Sequence, residues 1–181
     1  MKYLLLIFGL LSFNCSADEP YAFKGWKLDE NISNLDISEL SCVKTHSVHI
    51  VLGDIQCVEK GYKSKLTIAE TPVKFISFNF FNDLLSFINI KVEERYFSQI
   101  RDAFIEKYGK PTSEENSVIQ NRAGASFDNS VLQWENSVSF IKLEKRSGQV
   151  DSSYISFRSK NGLFELEKRS KEKASSGSHD L

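Results

Sequence analysis

Few residues in this sequence can do covalent or metal chemistry. Three histidines, three cysteines and one methionine are spread over 181 residues, so a cage of nitrogen or sulfur ligands has little to draw on. There is no G-x-S-x-G, no H-E-x-x-H and no phosphate-cradling glycine loop, which removes the signatures of common hydrolases and nucleotide binders. Glu93 and Glu94 are adjacent carboxylates, but neighbours at a helix start point in different directions and do not make a glycosidase-type pair. Neither charge sign dominates: 23 basic residues stand against 24 acidic ones, and the pI is about 6.3. With no aromatic stacking motif inside a basic stretch, nucleic acid is excluded as a partner. These absences point to a non-enzymatic protein with no catalytic residues, no metal and no cofactor.

What is present first is a leader. Residues 1–17 carry one lysine, an apolar run of about 11 residues from Tyr3 to Phe13, and small residues at Cys15 and Ala17 before Asp18. That is the pattern of a secretory signal peptide, and the run is well short of the roughly 20 residues a spanning helix needs. Cys15 could instead carry lipid, as in bacterial lipoproteins, but Phe13-Asn14 before it lack the small residues such a site requires. The expected location is the bacterial periplasm, with no transmembrane segment in the mature chain. Once Cys15 leaves with the leader, Cys42 and Cys57 are stranded together in an oxidising compartment and are expected to form a disulfide. A metal site there fails on ligand count, because His46 and His49, three apart on a strand, would point to opposite faces.

The body is expected at 18–164 as one α+β domain, an antiparallel sheet with one or two helices packed on one face. Its centre is the stretch 73–92, which reads as a hairpin turning at Asn82-Asp83, with Phe81 facing Leu84 and Val73 opposite Val92. An unbroken register puts Val73, Phe75, Phe81, Leu84, Ile88, Ile90 and Val92 on one face. It puts Ile76, Phe78, Phe80, Leu85 and Phe87 on the other. Tyr21, Phe23 and Trp26 are available to tack down the N-terminus, and residues 28–40 have the spacing of a short helix. From Cys42 the pattern turns to strands, with a turn at Gly53-Asp54 and another strand over 65–69. Phe97, Ile100, Phe104 and Tyr108 recur at helical spacing behind Glu93 and Glu94 and ahead of Gly109 and Pro111, a helix that would cover one face of the sheet. Residues 110–130 read as a long polar loop. Strands follow at 131–134, 137–145 and 150–159, and 165–181 reads as a charged, flexible tail.

The opening FKGWKLDENISNLDISEL, the F-N-D-x-L hairpin, and the helix ending KYGKP, together with Cys42, Cys57 and Trp134, resemble a family of small exported bacterial proteins. At fold level the order of elements is similar to the SmpA/OmlA outer-membrane lipoproteins and to β-lactamase inhibitory proteins. The resemblance implies a helix-plus-antiparallel-sheet architecture that tends to bind proteins, and it carries no residue role.

Three functions follow from this reading. The first is a soluble protein-binding module whose partner is another envelope protein, contacted through Ile76, Phe78, Phe80, Leu85 and Phe87. The second is an inhibitor or immunity protein for a secreted toxin or cell-wall hydrolase, with the 110–130 loop as a plug carrying Glu114, Glu115 and Arg122. The third is a small-ligand-binding protein with a site between sheet and helix, for which no residue set is nominated.

Overall fold

The computed structural model describes residues 18–45, 51–61 and 65–177. Residues 1–17, expected to be a leader and including Cys15, the histidines His46 and His49, and the last residues with His179 lie outside that range. The chain enters as a short ribbon of β1 (Ala22–Phe23) and β2 (Trp26–Lys27). It continues through β3 (Leu40–Lys44), β4 (Ile55–Glu59), a small hairpin of β5 (Thr67–Ile68) and β6 (Thr71–Pro72), then β7 (Phe75–Phe81) and β8 (Leu84–Glu93). Helix α1 (Phe97–Tyr108) crosses to β9 (Ser113–Gln120), and β10 (Ser126–Glu135), β11 (Ser139–Glu144) and β12 (Ser152–Ser159) lead into α2 (Lys160–Gly177).

Antiparallel pairing orders the main sheet β3-β4-β7-β8-β12-β11-β10-β9, eight strands in all. Strands β3, β4, β7 and β8 form one four-stranded meander and β9 to β12 a second, joined where β12 pairs with β8. The turn at the centre obeys local chemistry. Asn82 and Asp83 sit at φ 51° and 62°, the left-handed values a two-residue hairpin of this kind requires, and Phe81 pairs with Leu84. Gly109, at φ 80°, ends α1 where the sequence puts its stop.

One face of the sheet is the core. Phe78, Ile88, Phe157, Ile141 and Trp134 make a continuous cross-strand row over five strands. Helix α1 lies over one end of this row, with the Phe104 ring 5.6 Å from Trp134 and 6.2 Å from Phe157. The N-terminal segment covers the rest: Trp26 packs 4.2 Å from Phe78, and Phe23 lies 5.8 Å from Phe157. Burying each such side chain stabilises the fold by about 1.5–3 kcal/mol. The disulfide joins Cys42 and Cys57, which stand directly opposite one another on β3 and β4.

The hairpin departs from the expected register at one residue. Asn79 pairs with Phe87 but Phe80 pairs with Leu85, so Ser86 is the extra residue of a β-bulge. Because side chains alternate with period two, that single insertion exchanges faces for the whole of β8 beyond it. Ile88, Ile90 and Val92 therefore join Ile76, Phe78 and Phe80 in the core. Phe87, Asn89 and Lys91 go to the other face with Phe75, Ser77, Asn79 and Phe81. The bulge keeps like with like: without it, Ser77 and Asn79 would share a face with Ile88 and Ile90.

Four further expectations change. In place of a helix, residues 28–40 hold a 3-10 turn, Ile32–Asn34, and the first residue of β3, because the Asn31 side chain accepts from the Ser33 backbone N–H and diverts the chain into a cap. The 110–130 loop is instead β9, the turn at 121–125 and the first half of β10. It was hidden because β9 is an edge strand exposed on nearly every residue, with no apolar alternation to reveal it. The expected tail is helical to Gly177, carried by i,i+4 pairs such as Lys171–Glu167 at 2.8 Å and anchored by Arg169 on Asp54. Nor do the two helices share a face, since α2 crosses the hairpin end of the face opposite α1.

Candidate functional site

The residues expected to form an open apolar face do not form one. Ile76, Phe78, Phe80, Leu85 and Phe87 are all 2% exposed or less. The first four belong to the core face beneath Trp26 and its neighbours, and the bulge sends Phe87 to the other side. There it meets Phe81 edge-on at 5.3 Å under α2. Gly162 of α2 sits so near Ser86 that a Cβ on it would lie 2.4 Å from the serine Cβ, which is how the helix closes over this aromatic pair. As a contact surface this set is replaced by what surrounds it.

Glu114 and Glu115 are exposed on β9, and their side chains alternate to opposite faces of the edge strand. Arg122 is exposed in the turn that joins β9 to β10. The three are close in sequence but do not converge on one point.

The open surface is the second sheet face away from α2. Along β11 burial alternates strictly between buried core positions and half-buried positions facing outward, and on β12 the outward Tyr154 and Arg158 are half-buried while the small Ser152 and Ser156 beside them are buried. Beneath the surface runs a polar ladder. The Asn89 side-chain amide donates to Asn79 Oδ1 at 2.9 Å and to Ser77 Oγ at 3.3 Å, and Asn79 Nδ2 donates to the Leu52 carbonyl at 2.9 Å. Above it stand Arg158 and Tyr154 on β12, Phe140 and Lys142 on β11, Lys91 on β8 and Phe75 on β7, the last 46% exposed.

Arg158 is the electrostatic centre of this face. Its guanidinium lies 4.4 Å from the Phe87 ring centroid, stacked on the aromatic that the bulge placed there. Burial pulls its pKa below the ordinary guanidinium value, and burial pushes the neighbouring Tyr154 phenol up. Among the described residues no carboxylate lies within ion-pair distance of Arg158. Lys91 reaches only the neutral Gln149, at 2.7 Å, whereas Lys142 is matched by Glu144 at 3.4 Å. The face thus carries a net positive centre ringed by aromatic side chains. The signal for it was in the sequence, in Phe87, Asn89 and Lys91 alternating opposite Ser77 and Asn79, but it could be read only with the one-residue slip in place.

Among the described residues no group of three or more His, Cys, Asp or Glu side chains is arranged to hold a metal ion, and no helix is long and apolar enough to cross a membrane. Compared with protein-family models, with curated proteins and with solved structures, the chain matches none.

Proposed function

We propose that this protein is a non-enzymatic module of the bacterial envelope that binds another protein through the open face of its sheet. The observation that carries the reading is Arg158, a half-buried guanidinium backed by Phe87, flanked by Phe140 and Tyr154, with no carboxylate within ion-pair distance among the described residues. Arginine and tyrosine on a semi-rigid, partly desolvated surface are the residue types that dominate binding energy at protein interfaces. The partner surface is expected to present an Asp or Glu side chain, which would meet the guanidinium in a bidentate pair. Export, expected from the leader, agrees with the disulfide.

The test is photo-crosslinking from Tyr154 in periplasmic extract, with a second probe at Glu106 on the exposed side of α1 as control. A partner trapped at Tyr154 but not at Glu106, lost in Arg158→Glu and bearing an acidic patch at the crosslinked peptide, supports the reading. Equal trapping in wild type and Arg158→Glu, with both folded, overturns it.

The inhibitor reading keeps one specific observation in its favour. Strand β9 is an exposed sheet edge that pairs on one side with β10 and on the other with no strand among the described residues, which leaves it able to add a partner's strand, and Glu115 and Arg122 lie along it and at its tip. Replacing 121–125 by a two-residue turn should abolish inhibition of a partner hydrolase if the tip is the plug, and leave it intact if the open face makes the contact.

A further inference from the structure

On the other side of the sheet, where α1 covers the core, the packing is incomplete. A slot of about 310 Å³ separates α1 from the β5–β6 hairpin and reaches down to Phe157. Its floor is formed by Phe23, Phe104 and Phe157, and its walls by Ile68 and Ile100. The slot opens to solvent on one side, so it is a cleft with an apolar floor and not an interior void, and its width has a cause. The cause is in the side chains. Ala69 and Ala103 face the slot from opposite walls, short residues where neighbours on the same elements are Ile68 and Phe104. The Gln99 side-chain amide donates to the Ala69 carbonyl at 2.9 Å, so a polar contact ties α1 to the hairpin and fixes the position of one wall relative to the other.

The mouth is charged. Lys24, from the β1–β2 turn, and Lys107, from the last turn of α1, stand at it with Glu70, two cations to one anion. Lys24 Nζ donates to Thr67 Oγ1 at 3.5 Å, and Lys107 Nζ lies 5.0 Å from the Tyr108 ring. Among the described residues neither has a carboxylate within ion-pair distance. Lys107 also offsets the negative C-terminal end of α1, which would otherwise repel an anion there.

We propose that this slot is a small-molecule site for an amphiphilic carboxylic acid, its apolar tail against Phe104 and Phe157 and its carboxylate at Lys24 and Lys107. The volume is at the lower end of ligand cavities, about 300–1,000 Å³, which restricts the tail to a medium acyl chain or a single aromatic ring. The site is independent of the open face, because α1 lies on the opposite side of the sheet.

Isothermal titration of the mature chain tests it with four probes that share one tail: decanoate, decanol, decyltrimethylammonium and a decanoyl lysophospholipid. Decanoate is expected to bind saturably at one per chain and more tightly than decanol, with the cationic probe weakest. The lysophospholipid, whose acyl chain is an ester and whose anion is a phosphate, is expected to bind more weakly than decanoate, and tighter binding by it overturns the assignment of the carboxylate. Ala103→Trp, which fills the slot from α1, should abolish decanoate binding while melting no lower than wild type. Lys24→Gln and Lys107→Gln, both at exposed positions, should each weaken decanoate roughly two- to fivefold and leave decanol unchanged. Absence of saturable decanoate binding, or full binding by folded Ala103→Trp, overturns the site. Equal affinity for decanol and decanoate overturns the assignment of the carboxylate.

Discussion

The indole N–H of Trp134 donates to the Gly109 carbonyl at 2.8 Å, tying the middle of the second meander to the C-terminal end of α1. The crossover from β8 to the far edge of the sheet passes through that point. Trp134 itself is buried, and its ring packs on Phe104, so one residue sets both the height of α1 above the sheet and the position at which the helix stops.

Trp134→Phe keeps an aromatic ring but removes the donor. The expected loss is about 1–2 kcal/mol from the unmade hydrogen bond and the vacated volume, read as a lower denaturant midpoint with the slope unchanged. A variant as stable as wild type would show that the bond contributes nothing to holding α1.

Gly162→Ala puts a methyl where Ser86 already stands, 2.4 Å from its Cβ by the position of the added atom. Overpacking of this kind costs about 1–3 kcal/mol. Ser86→Gly in the same chain should recover part of that loss, and the recovery, measured as a double-mutant cycle, reports the contact between the bulge and α2. Purely additive losses would place the strain elsewhere.

The Arg169 guanidinium holds the Asp54 carboxyl below its ordinary pKa, with Nη1 at 2.5 Å from Oδ1, and the Asn82 backbone N–H adds a second donor at 2.8 Å. A depressed folded-state pKa means that the unfolded chain binds the proton more readily. The pair's contribution is therefore full above the ordinary carboxyl value near 4 and is lost as pH falls through the lower folded value. The carboxylate is 44% exposed, so screening limits the pair to about 1 kcal/mol or less. Asp54→Asn should be less stable than wild type at neutral pH, and the gap should begin to narrow as pH falls below about 4 and close once pH is below the lowered folded value. A gap independent of pH would assign the loss to the side-chain contacts with Asn82 rather than to charge.

Removing the disulfide by the double substitution Cys42→Ser and Cys57→Ser opens a loop of 15 residues in the first meander. The chain-entropy value for a loop of that length is about 3 kcal/mol. Chemical denaturation should show that loss with Arg158 and the second meander otherwise intact. The same midpoint with and without reductant in wild type would contradict it.

Much of the fold was legible because it is set by neighbours in sequence. The Asn82-Asp83 turn, the α1 stripe of Phe97, Ile100 and Phe104, its stop at Gly109, and the strand over 150–159 all follow from local geometry and period. Strand β9 was not legible, since an exposed edge places no demand for alternating apolar residues on Ser113–Gln120. The helical 165–177 segment was read as tail because its charged residues gain their reason only from Asp54, distant in the chain. The five residues expected to form an open apolar face are buried, because the hairpin register was read without the extra residue Ser86.

By itself the sequence determined an α+β chain with strands, a central hairpin, one secure helix and a cysteine pair, because turn residues, hydrophobic period and charge act over a few residues. Only the tertiary structure decided which hairpin face is core. That choice turns on the single extra residue Ser86, which α2 covers through Gly162, and on the matching of Ser77 and Asn79 with Asn89 across strands. Because strand side chains alternate with period two, one inserted residue moved Phe87 from the expected binding set to the ring beneath Arg158. No local rule states where such an insertion falls.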